Sequence, residues 1–404
     1  MMILTIDGIA YTQFTKLNVT QSMEEFAGVF SFTAIDVEGT FNRDDYPIKM
    51  GALARVLIDD VPVLTGYVEI IDIEEDSKTH TVSISGRDLT CDLVDSSVAA
   101  ELDFSAQTIS LEKIIDDAQN LIGLSLPIIN EVEDLTDFNE DTIISSEVNG
   151  TIFEFLEPFA RKKGVLLTTD GNGSIVITRG SGSSLGKFIF NLVQDGPSGN
   201  NNIIKSHVTY DFSERFSEYI VGSQLNLQAL SDSEALADDE SIVNSVVSVT
   251  DTEMSRNTRK LYIIAEEVGE TLSLSDRVNW EANLRKTRSR VYEATVVGHT
   301  VKPGVPYWFN KKAIVIDDPM GISEEMLIQS VSFSESIEDG ELTTLTFVAR
   351  DSYTLLFESS ASDSDTNKFG APFELEKPLT AESINTAIQE QISISASDTI
   401  DENA

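Results

Sequence analysis

Apolar and polar residues alternate along most of the first hundred positions, as in Phe30, Phe32 and Ala34, in Val56 and Ile58, in Val68 and Ile70, and in Val82 and Ile84. A period of two marks strands with one buried face. The polar stretch Glu74-Glu75-Asp76-Ser77-Lys78 between two such runs predicts a hairpin. Several short strands with no helix signal predict a small barrel or sandwich over 1–100. The period then changes. Leu111, Ile114, Ile115, Ala118, Leu121 and Ile122 recur at helical spacing, with Ser110 as N-cap and Gly123 as C-cap. A second helix is predicted at 151–163, with Ile152, Phe155, Leu156, Phe159 and Ala160 on one face, Pro158 as a kink and Gly164 as the stop. Asp170-Gly171-Asn172-Gly173 between VLLTT and SIVIT is a hairpin turn. These signals define a small α/β domain over 101–182, ending in a Gly/Ser-rich junction.

The β pattern returns over 183–225. An α+β insert follows at 226–289, with an acidic loop at 231–240, a strand-like LYIIA at 261–265 and a helix at about 275–290. Residues 290–357 are β again. The stretch 358–404 is rich in Ser, Asp and Glu and reads as an acidic tail with one short helix at 380–392.

Two regions resemble each other. VSISGRDLTCDLVDSS (82–97) lies against LTFVARDSYTLLFESS (345–360), so that Arg87-Asp88 falls on Arg350-Asp351, and Val68 falls on Val331 at the same offset of 263. ARVLIDD (54–60) resembles AIVIDD (313–318) at a shifted offset. The chain therefore reads as mainly β with α+β insertions: two similar β-barrel domains, the second split into 183–225 and 290–357, plus two smaller α/β domains and the acidic tail.

Composition narrows the function. Asp plus Glu number 68 against 28 Lys plus Arg, a formal net charge of −40 with one cysteine and three histidines. Such acidity argues against a nucleic-acid binder of the usual kind, which needs a basic surface for the phosphates, and against docking on an anionic membrane. No window approaches the ~18 apolar residues of a membrane span. A single cysteine, Cys91, permits no intrachain disulfide and no Cys-based zinc site. It reads as a packing residue, and His80, His207 and His299 as surface or strand residues. With so many carboxylates, an acid pair for glycoside hydrolysis has no sequence specificity. No G-x-S-x-G elbow or G-K-[ST] phosphate loop occurs. The calcium-loop spacing of Asp363, Asp365, Asn367 and Glu374 carries Lys368 where glycine is required. No catalytic, cofactor-binding or metal-ligating residue is assigned. Arg87-Asp88 and Arg350-Asp351 read as a repeated salt bridge or strand-end cap. Arg285, Lys286, Arg288 and Arg290 form the densest basic cluster, either a solvated helix face or a contact with an acidic partner.

Four segments together resemble Mu-like phage baseplate hub proteins: GRDLTCDLVDSS (86–97), FEFLEPFARKKGVLLTTDGNGSIVITR (153–179), RKLYIIAEE (259–267) with WEANLRKTRSRVYEATVVG (280–298), and MLIQSVSFSESIEDGELTTLTFVARDSYTL (326–355). The resemblance implies a structural, non-enzymatic virion protein at the centre of a contractile tail's baseplate, made in the host bacterial cytoplasm. Such hubs are homotrimers whose two tube-type barrel domains per chain give a pseudo-sixfold ring. That ring joins a sixfold tail tube to a threefold central spike, contacts the surrounding baseplate proteins and lets DNA pass without specific binding or membrane insertion. No cofactor is implied. A hub of a phage-tail-like injection particle or bacteriocin, and a cell-wall-degrading hub enzyme, are the alternatives. The long acidic tail departs from the pattern. For DNA to slide, the channel wall should be acidic or neutral and the Arg285–Arg290 cluster should face away from it.

Overall fold

The alternating residues of the first hundred positions form strands: β1 (Met2–Ile6), β2 (Ile9–Tyr11), β3 (Lys16–Ser22), β4 (Val29–Ile35), β5 (Leu53–Ile58), β6 (Val61–Glu75) and β7 (His80–Asp88). In β1, β3 and β7 every second residue is buried, including Met2, Leu4 and Ile6 in β1 and Val82 and Ile84 in β7. The computed structural model describes residues 1–35, 48–76, 80–97, 108–133, 135–139, 150–180, 190–192, 203–222, 246–264, 273–317 and 319–354. The acidic tail with its short helix and calcium-like spacing, the acidic loop at 231–240 and residues 181–187 of the junction at 179–187 lie outside these residues.

The helical period after residue 108 also folds as the pattern requires. The elements are α1 (Cys91–Asp95), α2 (Leu111–Asn120), β8 (Ile128–Asn130), α3 (Ile152–Lys163), β9 (Leu166–Thr169) and β10 (Ile175–Thr178). Ser110 accepts a hydrogen bond from the Lys113 amide and starts α2. Thr151 and Glu154 form a reciprocal capping box at the start of α3, satisfying two otherwise orphaned amides. The helix runs through Pro158 and stops at Gly164, whose φ of 59° is the left-handed conformation that glycine adopts cheaply. Asp170 accepts from the amides of Asn172 and Ser174 and closes the β9–β10 hairpin. Leu111, Ile114, Ile115, Ile152, Leu156, Ile175 and Ile177 build a core separate from the main one.

The remaining strands are β11 (Phe190–Leu192), β12 (Ile203–Tyr210), β13 (Glu218–Gly222), β14 (Val246–Thr250) and β15 (Lys260–Ile264). After α4 (Leu274–Arg288) come β16 (Arg290–Val297), β17 (Thr300–Lys302), β18 (Val305–Pro306), β19 (Lys311–Asp317), β20 (Ile322–Ser336) and β21 (Gly340–Ala349). β13 does not pair with the strands of the second β domain, where its place in the sequence puts it. It is the central strand of a three-stranded sheet with β14 and β15, against which α4 packs through Val278 and Ala282.

Among the described residues no barrel closes, against the expectation of two. Thirteen strands form one open sheet along the path β12-β16-β21-β20-β3-β4-β7-β6-β5-β1-β2, with β19 and β11 beside β20. The cause lies in β20, a strand of 15 residues that changes its partner midway. Ile322–Ile328 pair with β19, whereas Ser330–Ser336 pair with β3, near the start of the chain. One strand order occurs twice in this sheet: β3-β4-β7-β6-β5-β1 and β12-β16-β21-β20-β19-β11. The two runs differ at their ends, where β1 is antiparallel to β5 and β11 is parallel to β19.

Candidate assembly interface

The junction of β20 with β3 is a dry seam. Val331 and Phe333 on one strand and Leu17 and Val19 on the other are fully buried. On the opposite face Thr20 Oγ1 and Ser332 Oγ lie 3.0 Å apart in a hydrogen bond across the strands. Gln21, also buried, donates through Nε2 to the Val63 carbonyl at 3.1 Å. The Met2 amide donates to Glu335 at 2.5 Å, tying β1 to the same strand. The seam joins residues more than 300 positions apart, so no local pattern announces it.

Elsewhere the sheet presents similar strands without a ladder partner on one side among the described residues. Beyond Val68, β6 pairs with β7 on one side, while β5 reaches only to Tyr67 on the other. Ile70 and Ile73 there are 59% and 47% exposed. At the end of the described path, β12 pairs with β16 on its inner side. Tyr210 and the following Phe212 are 38% and 46% exposed. Unpaired strand edges carrying apolar residues are templates for a further strand.

The residues singled out by sequence have other duties. Arg87 grips Glu69 at 2.6 Å and also Asp95, clamping β6 to α1 across β7. Asp88 is fully buried and caps the strand end, accepting from the Gly28 amide at 2.7 Å and the Thr90 amide at 3.0 Å. Desolvation pushes its carboxyl up to about 6, against the pull of the hydrogen bonds from Thr90 and Gly28. Arg350 and Asp351 pair with each other at the surface instead, at 3.1 Å. The two dipeptides differ because β7 stays in the sheet through Asp88, whereas β21 ends at Ala349 and leaves the second pair in a turn.

The four clustered cations each meet a carboxylate of their own chain: Arg285 approaches Glu281, Lys286 meets Glu253 at 2.8 Å, Arg288 reaches Glu24 at 3.3 Å and Arg290 pairs with Glu324. Arg288 ties α4 to the turn after β3, Lys286 ties it to the segment after β14, the Arg285 pair with Glu281 lies within α4, and Arg290 links β16 to β20. Nearby, Arg215 is buried with Asp251 at 2.6 Å and also holds Glu253. A cleft of about 360 Å³ beside Glu24, Phe153, Trp280 and Tyr353 separates α3 from α4. Glu24 there accepts from Tyr353 Oη at 2.9 Å as well as from Arg288.

Nucleophile and metal chemistry finds little support among the described residues. Burial pushes the Cys91 thiol up to about 12, where it carries no thiolate at neutral pH. His299 is buried and held neutral by desolvation, its value lowered to about 4, with Nδ1 3.0 Å from Thr343 Oγ1. His80 and His207 stand in different strands, β7 and β12. No group of three His, Cys, Asp or Glu residues among the described ones could hold a metal ion. Lys163 packs over the Phe138 ring and donates to the Asp137 carbonyl at 3.0 Å, its ammonium lowered to about 8 by burial.

Known proteins give this architecture its context. Residues 1–88 match the family described as Mu phage baseplate assembly protein GpP-like, N-terminal, and residues 90–179 match baseplate hub protein gp44-like, second domain. The crystal structure of the prophage MuSo2 43 kDa tail protein from Shewanella oneidensis is similar at 30% identity and a TM-score of 0.70, over 87% of this chain and 98% of that one. The chain belongs to the Mu-like phage baseplate hub family. The hub is also 26% identical over 360 residues to baseplate hub protein gp44 of Escherichia phage Mu, covering 88% of this chain and 89% of that protein. A tail protein from Neisseria meningitidis MC58 shares the fold, with a TM-score of 0.71 at 18% identity over 88% of the hub and 98% of that chain. The hub is thus a structural component of the virion tail baseplate. No helix among its described residues is long and apolar enough to cross a membrane.

Proposed function

We propose that three copies of the hub close into a ring in which each chain contributes two similar β units. Six units then meet a sixfold tail tube on one side, and the threefold arrangement of whole chains meets a central spike on the other. Other baseplate proteins surround the ring, and DNA passes along its axis without specific binding. The observation that carries this reading is the strand order that occurs twice within one sheet, β3-β4-β7-β6-β5-β1 and β12-β16-β21-β20-β19-β11. A head-to-tail contact that repeats with a closing rotation gives a ring, and closure removes exposed edges. The role is structural, and purified hub is expected to leave cell-wall material undigested. Native mass spectrometry at micromolar concentration tests the assembly: the expected species has three times the 44.3 kDa chain mass. A stable monomer under those conditions overturns the reading.

A further inference from the structure

We propose that the far half of β6 in one hub chain pairs antiparallel with the outer edge of β12 in the next chain, in the register Ile71–Tyr210, Asp72–Thr209 and Ile73–Val208. The inference rests on the three-copy reading and specifies its contact. Its template is the in-chain seam, because β3-β4-β7-β6 and β12-β16-β21-β20 match in strand order and in pairing register. In the first run one row crosses the sheet through Val68, Gly86, Phe30 and Val19. In the second the corresponding row is Ile328, Phe347, Tyr292 and Val208. Immediately after this row each long strand carries a bulge, at Glu69 in β6 and at Gln329 in β20. By strand position, then, Val68 corresponds to Ile328 and not to Val331 as the sequence offset of 263 has it, Asp72 to Ser332 and Ile73 to Phe333. On the other strand the segments KLNVTQS (16–22) and KSHVTYD (205–211) share Lys, Val and Thr in step, so Val19 corresponds to Val208 and Thr20 to Thr209. The in-chain pairs Ser332–Thr20 and Phe333–Val19 therefore become Asp72–Thr209 and Ile73–Val208 between chains.

Three observations agree with this occupant. Phe333 and Met23 are 0% and 2% exposed at the in-chain seam, whereas their counterparts Ile73 and Phe212 are 47% and 46% exposed. The β6 segment offers Asp72, Glu74 and Glu75, while β12 offers Lys205, so the two edges carry opposite charge. Among the described strands neither edge is hydrogen-bonded to a further strand on its outer side, although β11 stands near β12 and β18 near β6. Pairing them places one such contact between each pair of chains, alternating around the ring with the in-chain seam.

Disulfide trapping tests the register. Side chains directly opposite across an antiparallel pair have Cβ atoms about 4.5–5.5 Å apart, near disulfide range. Asp72→Cys with Thr209→Cys in the full chain is expected to give covalent dimers and trimers on mild oxidation, at least tenfold faster than Asp72→Cys with Asp211→Cys. Thr20→Cys with Ser332→Cys should instead close within one chain and leave the covalent mass unchanged. A native mass of three chains without these cross-links overturns the seam and leaves the three-copy reading standing. A monomer overturns both. Ile73→Asp provides an independent arm, since Ile73 is exposed in the single chain. It should leave the urea midpoint of the isolated chain unchanged and abolish the trimer mass; a trimer that survives it overturns the seam.

Discussion

Asp88 makes the stability of the hub depend on pH in a sense opposite to that of most paired carboxylates. Its side chain is completely buried, and its value is raised from 3.8 to about 6 by desolvation, with the hydrogen bonds from Thr90 and Gly28 recovering part of the cost. A carboxyl whose folded value lies above its unfolded value binds its proton more tightly in the folded chain. Stability is therefore gained as pH falls from about 6 to about 4 and is lost as pH rises through that window. A rise from 3.8 to about 6 corresponds to roughly 3 kcal/mol over the full range. Near the isoelectric point of 4.2 the chain would associate, so the practical window is pH 7.5 to 5. Within it the linkage yields about 1.4 kcal/mol. Many other carboxylates change stability over the same range, and the comparison with Asp88→Asn removes them. Asparagine keeps the shape and does not titrate. Urea unfolding followed by circular dichroism should show the wild-type stability, relative to Asp88→Asn, rising by about 1.4 kcal/mol from pH 7.5 to pH 5. A difference that stays constant across that range, or falls with acid, refutes the argument that desolvation dominates at this site.

Two further outcomes follow from the structure. Arg215→Ala leaves buried Asp251 facing Glu253 without their shared cation, and urea unfolding should show a loss of about 3–5 kcal/mol, with a loss under ~1 kcal/mol counting against a structural role for the pair. Duplex DNA should bind the assembled hub weakly at physiological salt, as expected for a chain of net charge −40, and tight binding in a gel-shift assay would show a basic channel wall.

Local features were legible in the sequence because local physics decides them. The start of α3 at Thr151, its stop at Gly164 and the Asp170 turn each depend on a few adjacent residues. The helix at 275–290 appears as α4 at Leu274–Arg288 for the same reason, starting in a capping box between Ser273 and Asp276. The joining of the two β regions was not legible, because β20 reads as one uninterrupted strand and nothing in it signals a change of neighbour after Gln329. β13 reads as a strand following the others in sequence, and only its pairing with β14 and β15 assigns it to the insert. The shared Arg-Asp dipeptides were a poor guide, since one side chain entered a core and its counterpart stayed in a turn. For the candidate interface, the likeness of KLNVTQS to KSHVTYD was present in the sequence, but seven residues acquire meaning only once both are known to be outer strands.

The partner change in β20 also sets a timetable for synthesis. Thr20 and its cross-strand neighbour Ser332 are 312 residues apart. At ordinary bacterial translation rates that distance takes about 15–60 s to make. Throughout this interval the N-terminal strands are already outside the ribosome while the segment that will cover β3 does not yet exist. On a polysome, the completed β20 of a leading chain reaches the open β3 of a trailing one before that chain can supply its own. The exchange would use the same hydrogen bonds as correct folding and would tether successive products together. Closure of β20 on the β3 of its own chain is the folding step that would exclude this exchange.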